Sequence, residues 1–160
     1  MKATVVYVSK TGITAAFAEK IVEGLKEGGV DAKAFSYHDI DMDWITDSKC
    51  VIIGTPTYYT DASADTTAFL ETLGKYGVAG KLGGAFATAQ YAWGGNEMAM
   101  MNIIMHEMFF GMLVYSGGGA AGNPPIHIGP IKIGSAEYDY DALAVDYGKR
   151  MAAETVKLFG

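Results

Sequence analysis

Ser9-Lys10-Thr11-Gly12-Ile13-Thr14 places three hydroxyls and a glycine within six residues, between an apolar β-branched run and the start of an amphipathic segment. Hydroxyls and backbone amides that turn inward at a glycine bind anions, and the N-terminus of a following helix adds partial positive charge. The chemistry on offer is therefore the holding of a phosphate without an obligatory cation. The plainer reading is a capped helix start with spare hydroxyls. The segment lacks the Gly-Lys-Ser/Thr ending of a nucleoside-triphosphate loop. Gly-x-Gly-x-x-Gly occurs once, from Gly117 to Gly122, but Asn123-Pro124-Pro125 follows where a dinucleotide site needs a helix.

Other constellations fail on spacing. Asp39-Ile40-Asp41-Met42-Asp43 opens like a calcium loop, yet Trp44 and Cys50 stand where that motif requires glycine and glutamate, so a solvated loop at a helix start is expected. His38, His106 and His127 are dispersed and show no metal-ligand spacing. No aspartate ends the third apolar run, as a phosphorelay receiver would need, and no thiol lies in the first loop, as a cysteine phosphatase would need. Cys50 is the single cysteine, so no disulfide framework or Cys-x-x-Cys pair exists, and redox chemistry must come from a bound cofactor. A buried, inert thiol is expected for it.

The elements that must position these residues alternate. Strands are read at Ala3–Val8, Val30–Ser36, Cys50–Gly54, Gly84–Thr88 and Met112–Ser116, with a short one at Ile131–Ile133. Helices are read at Thr14–Glu27, Ala62–Leu73, Asn96–Phe110 and Asp139–Phe159. Such alternation implies parallel pairing through right-handed crossovers and a ligand at the carboxyl ends of the strands. With 160 residues, one domain spanning residues 1–160 is expected. A net charge of −6 argues against a nucleic-acid partner. No apolar run reaches the roughly 18–20 residues of a membrane helix, and Met1-Lys2-Ala3-Thr4 runs straight into a strand. A cytoplasmic location without membrane contact is the expectation.

Two further segments carry a family resemblance. Ile53-Gly54-Thr55-Pro56-Thr57-Tyr58-Tyr59, with Phe69-Leu70-Glu71 beyond it, resembles the second flavin loop of flavodoxin-like oxidoreductases. Phe86-Ala87-Thr88-Ala89-Gln90, then Gly94-Gly95-Asn96-Glu97, is similar to their third loop, and His106 to Leu113 to the segment after it. With Ser9–Thr14 the resemblance runs along the whole chain, towards the flavodoxin and WrbA-like (NAD(P)H:quinone oxidoreductase) branches. It implies a flavodoxin-like three-layer α/β/α sandwich with a five-stranded parallel sheet, order 2-1-3-4-5, and non-covalent FMN as cofactor. It also implies site residues. Ser9, Lys10, Thr11, Gly12, Ile13 and Thr14 would wrap the phosphate; Pro56, Thr57, Tyr58, Tyr59 and Thr60 would follow one edge of the ring. Thr88, Ala89, Gln90, Tyr91, Trp93, Gly94 and Gly95 would hold the other edge, with Tyr58, Tyr59, Tyr91 and Trp93 available for stacking. The flavin carries the chemistry, so no catalytic side chain and no metal are expected.

The chain departs from the family twice. WrbA-like sequences carry histidines before the Gly-Met pair, where Phe109-Phe110 stands here. Many flavodoxins have a glycine in the second loop, whose peptide flips when the flavin is reduced, but Tyr59-Thr60-Asp61 has none. Positive φ is costly for a residue with a Cβ, so weaker stabilisation of one-electron-reduced flavin is expected. Acidic charge, with no evident cation near the ring, predicts a low potential. Two functions fit. One is an electron carrier serving larger redox partners. The other is an enzyme taking hydride from NAD(P)H for a quinone or similar small acceptor. Six of the nine methionines fall between Met98 and Met112, and Met98, Met100, Met101, Met105 and Met108 among them lie on a helix apolar almost all round. Its outer face is expected to meet a second subunit, giving a homo-oligomer.

Overall fold

Ala3–Val6 lacks the polar alternation of a half-exposed strand, so it needs cover on both faces. In the computed structural model, which describes residues 1–160, that run lies in β1 (Lys2–Tyr7). Its one polar side chain, Thr4, is satisfied by the Ser48 hydroxyl at 2.8 Å. β2 (Asp31–Ser36) and β3 (Cys50–Tyr58) flank β1, both parallel to it. β5 (Leu82–Ala89) lies beyond β3, and β6 (Leu113–Val114) beyond β5, again parallel. The order β2-β1-β3-β5-β6 is the expected doubly wound order once the parallel strands alone are numbered.

Successive residues of the central strands point to opposite faces. Val5 and Ile52 meet Phe17 and Ile21 of α1 (Ile13–Glu27) and Tyr147 of α5 (Tyr140–Phe159). Val6, Val51 and Ile53 meet Ile45 of α2 (Met42–Asp47), Leu70 of α3 (Ala64–Leu70) and Ile103 of α4 (Asn96–Phe109). Three layers result. No helix is long and apolar enough to cross a membrane.

Several expectations are corrected. The sheet has seven strands, not five. One addition is β4 (Asp61–Ala62), antiparallel to the end of β3. It delays α3, which starts at Ala64 rather than Ala62 because Ser63 caps it, its Oγ accepting from the Thr66 amide. The other is the short strand expected at Ile131–Ile133, β7, which joins the sheet and shares the outer flank of β5 with β6. β6 pairs with Leu82–Gly83 and β7 with Ala87–Ala89, so the strand expected over Met112–Ser116 shrinks to two residues. Asp39–Asp43 leads into the short helix α2, capped by the Asp41 carboxylate on the Trp44 amide at 3.0 Å.

Two details of the interior bear on stability. Cys50 is fully buried, and burial pushes its thiol up to about 12, which keeps it protonated. Glu107, on the inner face of α4, is also fully buried; Oε1 accepts from the Gly84 amide at 3.2 Å and Oε2 has no partner. Loss of water pushes this carboxyl up to about 8 despite that hydrogen bond. The opposite face of α4 stays open: Met98, Met105, Met108 and Phe109 are all exposed, Phe109 at 82%.

Candidate functional site

β1, β3 and β5 are neighbours in the sheet, so the loops at their carboxyl ends must lie side by side. They enclose a cleft of about 280 Å³. Lys10, Thr11, Ile13 and Thr14 line it from the first loop, Pro56, Thr57 and Tyr58 from the second, and Thr88, Ala89 and Gln90 from the third. Ten expected residues thus converge on one space. Gly134, just past β7, is an eleventh that sequence reading missed. Its amide donates to the Ala89 carbonyl at 2.8 Å. The only signal for it was a glycine closing a short apolar run whose sheet neighbour was unknown.

The first loop is built as an anion cradle. Gly12 caps α1 with φ of 89° and offers no side-chain cap. Ser9 Oγ accepts the amides of Gly12 and Ala15, at 3.1 and 3.3 Å, so this hydroxyl shapes the turn. The amides of Lys10, Thr11, Ile13 and Thr14 have no acceptor within the protein. Four free donors at a fifteen-residue helix's N-terminus suit a phosphate. Lys10 adds a cation, with Nζ 5.6 Å above the Tyr58 ring and 3.6 Å from the Asp65 carboxylate.

Hydroxyl pairs tie the loops to one another. Thr14 and Thr88 join the first to the third across 2.8 Å in a buried contact. Thr55 anchors the second to α3 through Thr66, also at 2.8 Å. Thr57 Oγ1 is buried and unpartnered, an orphaned polar atom in the cleft's own lining. A buried hydroxyl without a partner costs about 1–3 kcal/mol, which a polar ligand edge would recover. The cradle, the orphaned hydroxyl and the flanking aromatics fit a phosphorylated flat ring.

Eight expected residues stand outside the lining: Ser9, Gly12, Tyr59, Thr60, Tyr91, Trp93, Gly94 and Gly95. Ser9 and Gly12 form the cradle's turn. Tyr91 and Trp93 stack on each other, centroids 5.5 Å apart and planes 19° apart, and Trp93 is 82% exposed. Asn96, the first residue of α4, secures their loop by donating to the Tyr91 and Ala92 carbonyls, both at 3.2 Å.

Tyr59 and Thr60 occupy the left-handed region despite its cost to residues that carry a Cβ. Their φ values are 51° and 70°. The register explains this: Tyr58 pairs with Asp61 and Thr57 with Ala62, which leaves a two-residue hairpin turn. Turns of that length match the strand twist when both central residues have positive φ. Sheet pairing overrides the local preference.

Phe109 and Phe110 end α4 at the far side from Gly95, roughly 20 Å along a helix of this length. They take no part in the cleft. A second hollow, of about 350 Å³, follows Pro124–Pro130 past Glu97 and Tyr138 and contains none of the expected site residues.

Comparison with known proteins agrees with this geometry. The flavodoxin family model matches residues 5–122. A flavodoxin of Clostridium saccharobutylicum is 37% identical, across 99% of this chain and 100% of its own. An NAD(P)H dehydrogenase (quinone) of Bradyrhizobium diazoefficiens is 30% identical over 138 residues, 71% of this chain and 69% of its own. Among solved structures, a flavodoxin from the domain Archaea superposes with a TM-score of 0.78 at 26% identity, covering 98% of this chain and 99% of that one.

Proposed function

The chain belongs to the flavodoxin family, and from that premise we propose that it is a single-domain electron carrier that holds one FMN non-covalently in the cleft between the β1, β3 and β5 loops. The observation that carries this reading is the convergence of ten expected residues on one cleft whose phosphate end presents four amides without acceptors. FMN, when bound, supplies the redox chemistry; the chain supplies placement and field.

The amides of Lys10, Thr11, Ile13 and Thr14, with the Thr11 and Thr14 hydroxyls, would bind the phosphate, and Ser9 and Gly12 hold them in the required turn. Pro56, Thr57, Tyr58, Tyr59 and Thr60 position one edge of the ring, with the orphaned Thr57 hydroxyl as a polar contact. Thr88, Ala89, Gln90, Gly94 and Gly95 bound the other edge. Tyr91 and Trp93, exposed at the end of the third loop, would cover a ring face and keep water from it. Lys10 is the one cation in the lining, and Asp65 at 3.6 Å offsets much of its charge. The net charge of −6 then disfavours added negative charge and lowers the potential of bound FMN below that of the free cofactor.

The carrier reading is preferred to the quinone reductase because the flavodoxin relative is 37% identical from end to end, whereas the quinone dehydrogenase relative is only 30% identical. Phe109 and Phe110 also stand where WrbA-like proteins have histidines. The expected setting is the cytoplasm, with redox proteins as partners. The exposed Met98, Met105, Met108 and Phe109 face of α4 is the surface on which two copies would join. The test is titration of the purified protein with FMN, followed by anaerobic NADH or NADPH. A carrier forms a yellow 1:1 complex that the nicotinamides do not bleach without a separate reductase. Rapid bleaching would assign the enzyme instead, and protein that ignores FMN would end both readings.

A further inference from the structure

The Tyr59–Thr60 turn is the most strained backbone beside the cleft: two consecutive residues with side chains hold φ of 51° and 70°. Such a conformation persists only where surroundings over-determine it. The Thr60 hydroxyl bonds the Tyr59 carbonyl within the turn, at 2.5 Å, but that contact is local and moves with the turn. Beyond the β3–β4 pairing, a second restraint comes from α4, which packs on β4. Gly95, at its N-cap, lies so close that a Cβ there would collide with the Thr60 carbonyl. Two turns further on, Asn102 Nδ2 donates to Asp61 Oδ1 at 3.2 Å. The same oxygen accepts the Ala62 amide at 2.7 Å. The Ala62 contact is local to β4, so the helix supplies the long-range hold on Asp61, immediately after the strained pair.

The Asn102 side chain makes no hydrogen bond to its own helix: its backbone carbonyl accepts from His106 Nδ1 at 2.8 Å, and the side-chain Oδ1 is buried without a partner. The single hydrogen bond made by its side chain runs to Asp61. A residue that accepts an orphaned buried oxygen in order to direct one donor at a turn is suited to fixing that turn.

We propose that Asn102 is a positioning residue: acting through Asp61, it locks the Tyr59–Thr60 turn in its left-handed form before cofactor arrives and so sets the reduction potentials of the bound flavin. The inference rests on the FMN reading above. In a turn held this way, the backbone groups that would flank the flavin would be kept from reorienting as its charge changed. Any reduced form that needs a different turn is penalised by the Asn102–Asp61 bond.

The test compares wild type with Asn102→Leu, Asp61→Ala, the double variant, and the exchanged pair Asp61→Asn with Asn102→Asp, after circular dichroism has confirmed that each folds. In FMN-free protein, backbone scalar couplings that report φ, with amide exchange at Tyr59 and Thr60, read the turn directly. In FMN-loaded protein, redox titration reads the gap between the two one-electron potentials. Asn102→Leu should release the left-handed φ values and raise turn exchange roughly ten-fold, the effect of one lost hydrogen bond to a charged group. The gap should move by about 59 mV, a tenfold change in a one-electron equilibrium. The double variant should add nothing to Asp61→Ala, and the exchanged pair should restore both readouts. Couplings and potentials that stay put in Asn102→Leu overturn the proposal, as does strict additivity in the double variant. Should Asn102→Leu not fold, the exchanged pair against Asp61→Asn alone decides the same question. Wild-type protein that shows the turn but binds no FMN would defeat the functional reading and leave the couplings to judge the lock.

Discussion

Replacing Glu107 by glutamine removes a carboxyl that the fold holds at a cost dependent on pH. In the folded protein it titrates near 8, against an ordinary value of 4.5, because it is fully buried and only the Gly84 amide contacts it. A folded value above the unfolded one means that the native state binds the extra proton. The resulting stability is complete below pH 4.5 and drains away as pH rises through 8. Between those limits the loss runs at about 1.4 kcal/mol per pH unit, so on the order of 3 kcal/mol disappears from pH 5.5 to 7.5. Glutamine keeps an oxygen for the Gly84 amide but does not titrate. Its amide nitrogen faces the position where Oε2 has no partner, which costs about 1–3 kcal/mol at every pH. Urea unfolding of wild type and Glu107→Gln across pH 5.5–7.5, both free of flavin, isolates the effect, since all other groups cancel in the difference. The variant should be the less stable protein at pH 5.5 and should gain steadily, reaching or passing wild type by pH 7.5. A stability difference that does not change with pH would refute a neutral, buried Glu107.

Two further outcomes follow from the packing. Gly54→Ala puts a methyl into the ring of Phe86, both residues lying in the central strands, and should cost about 3 kcal/mol in chemical denaturation. Phe86→Leu in the same chain should return part of that loss. Arg150 donates to the Gly117, Gly118 and Pro124 carbonyls at 3.3, 3.1 and 2.9 Å and pairs with Asp146 at 2.6 Å. Arg150→Met should therefore lower stability by about 3 kcal/mol and expose Gly117–Pro124 to limited proteolysis, while FMN affinity changes less than about two-fold because that segment is outside the cleft.

Much of this protein was legible in its residues taken singly and in short runs. β-branched apolar stretches at Ala3–Val8 and Cys50–Gly54, helical spacing of Phe17, Ile21 and Leu25, and a hydroxyl-rich turn between them suffice for a doubly wound sheet with an anion cradle, because periodicity and turn chemistry act over a few residues. What escaped depends on partners distant in sequence. The outer flank of β5 is divided between β6 and β7 because the chain leaves the sheet after Val114 and returns to it at Ile131. Gly134 joins the cleft because β7 happens to pair with Ala89. Tyr59 and Thr60 take a conformation their side chains resist, since hairpin register and the approach of α4 outweigh local preference. Nothing in Asn-Ile-Ile around Asn102 announces a contact with Asp61, and nothing around Glu107 announces a proton held near pH 8. Local sequence determined which elements form and which loops carry donors. Tertiary structure decided what each donor faces and how much water surrounds each charge, because both are properties of the assembled neighbourhood.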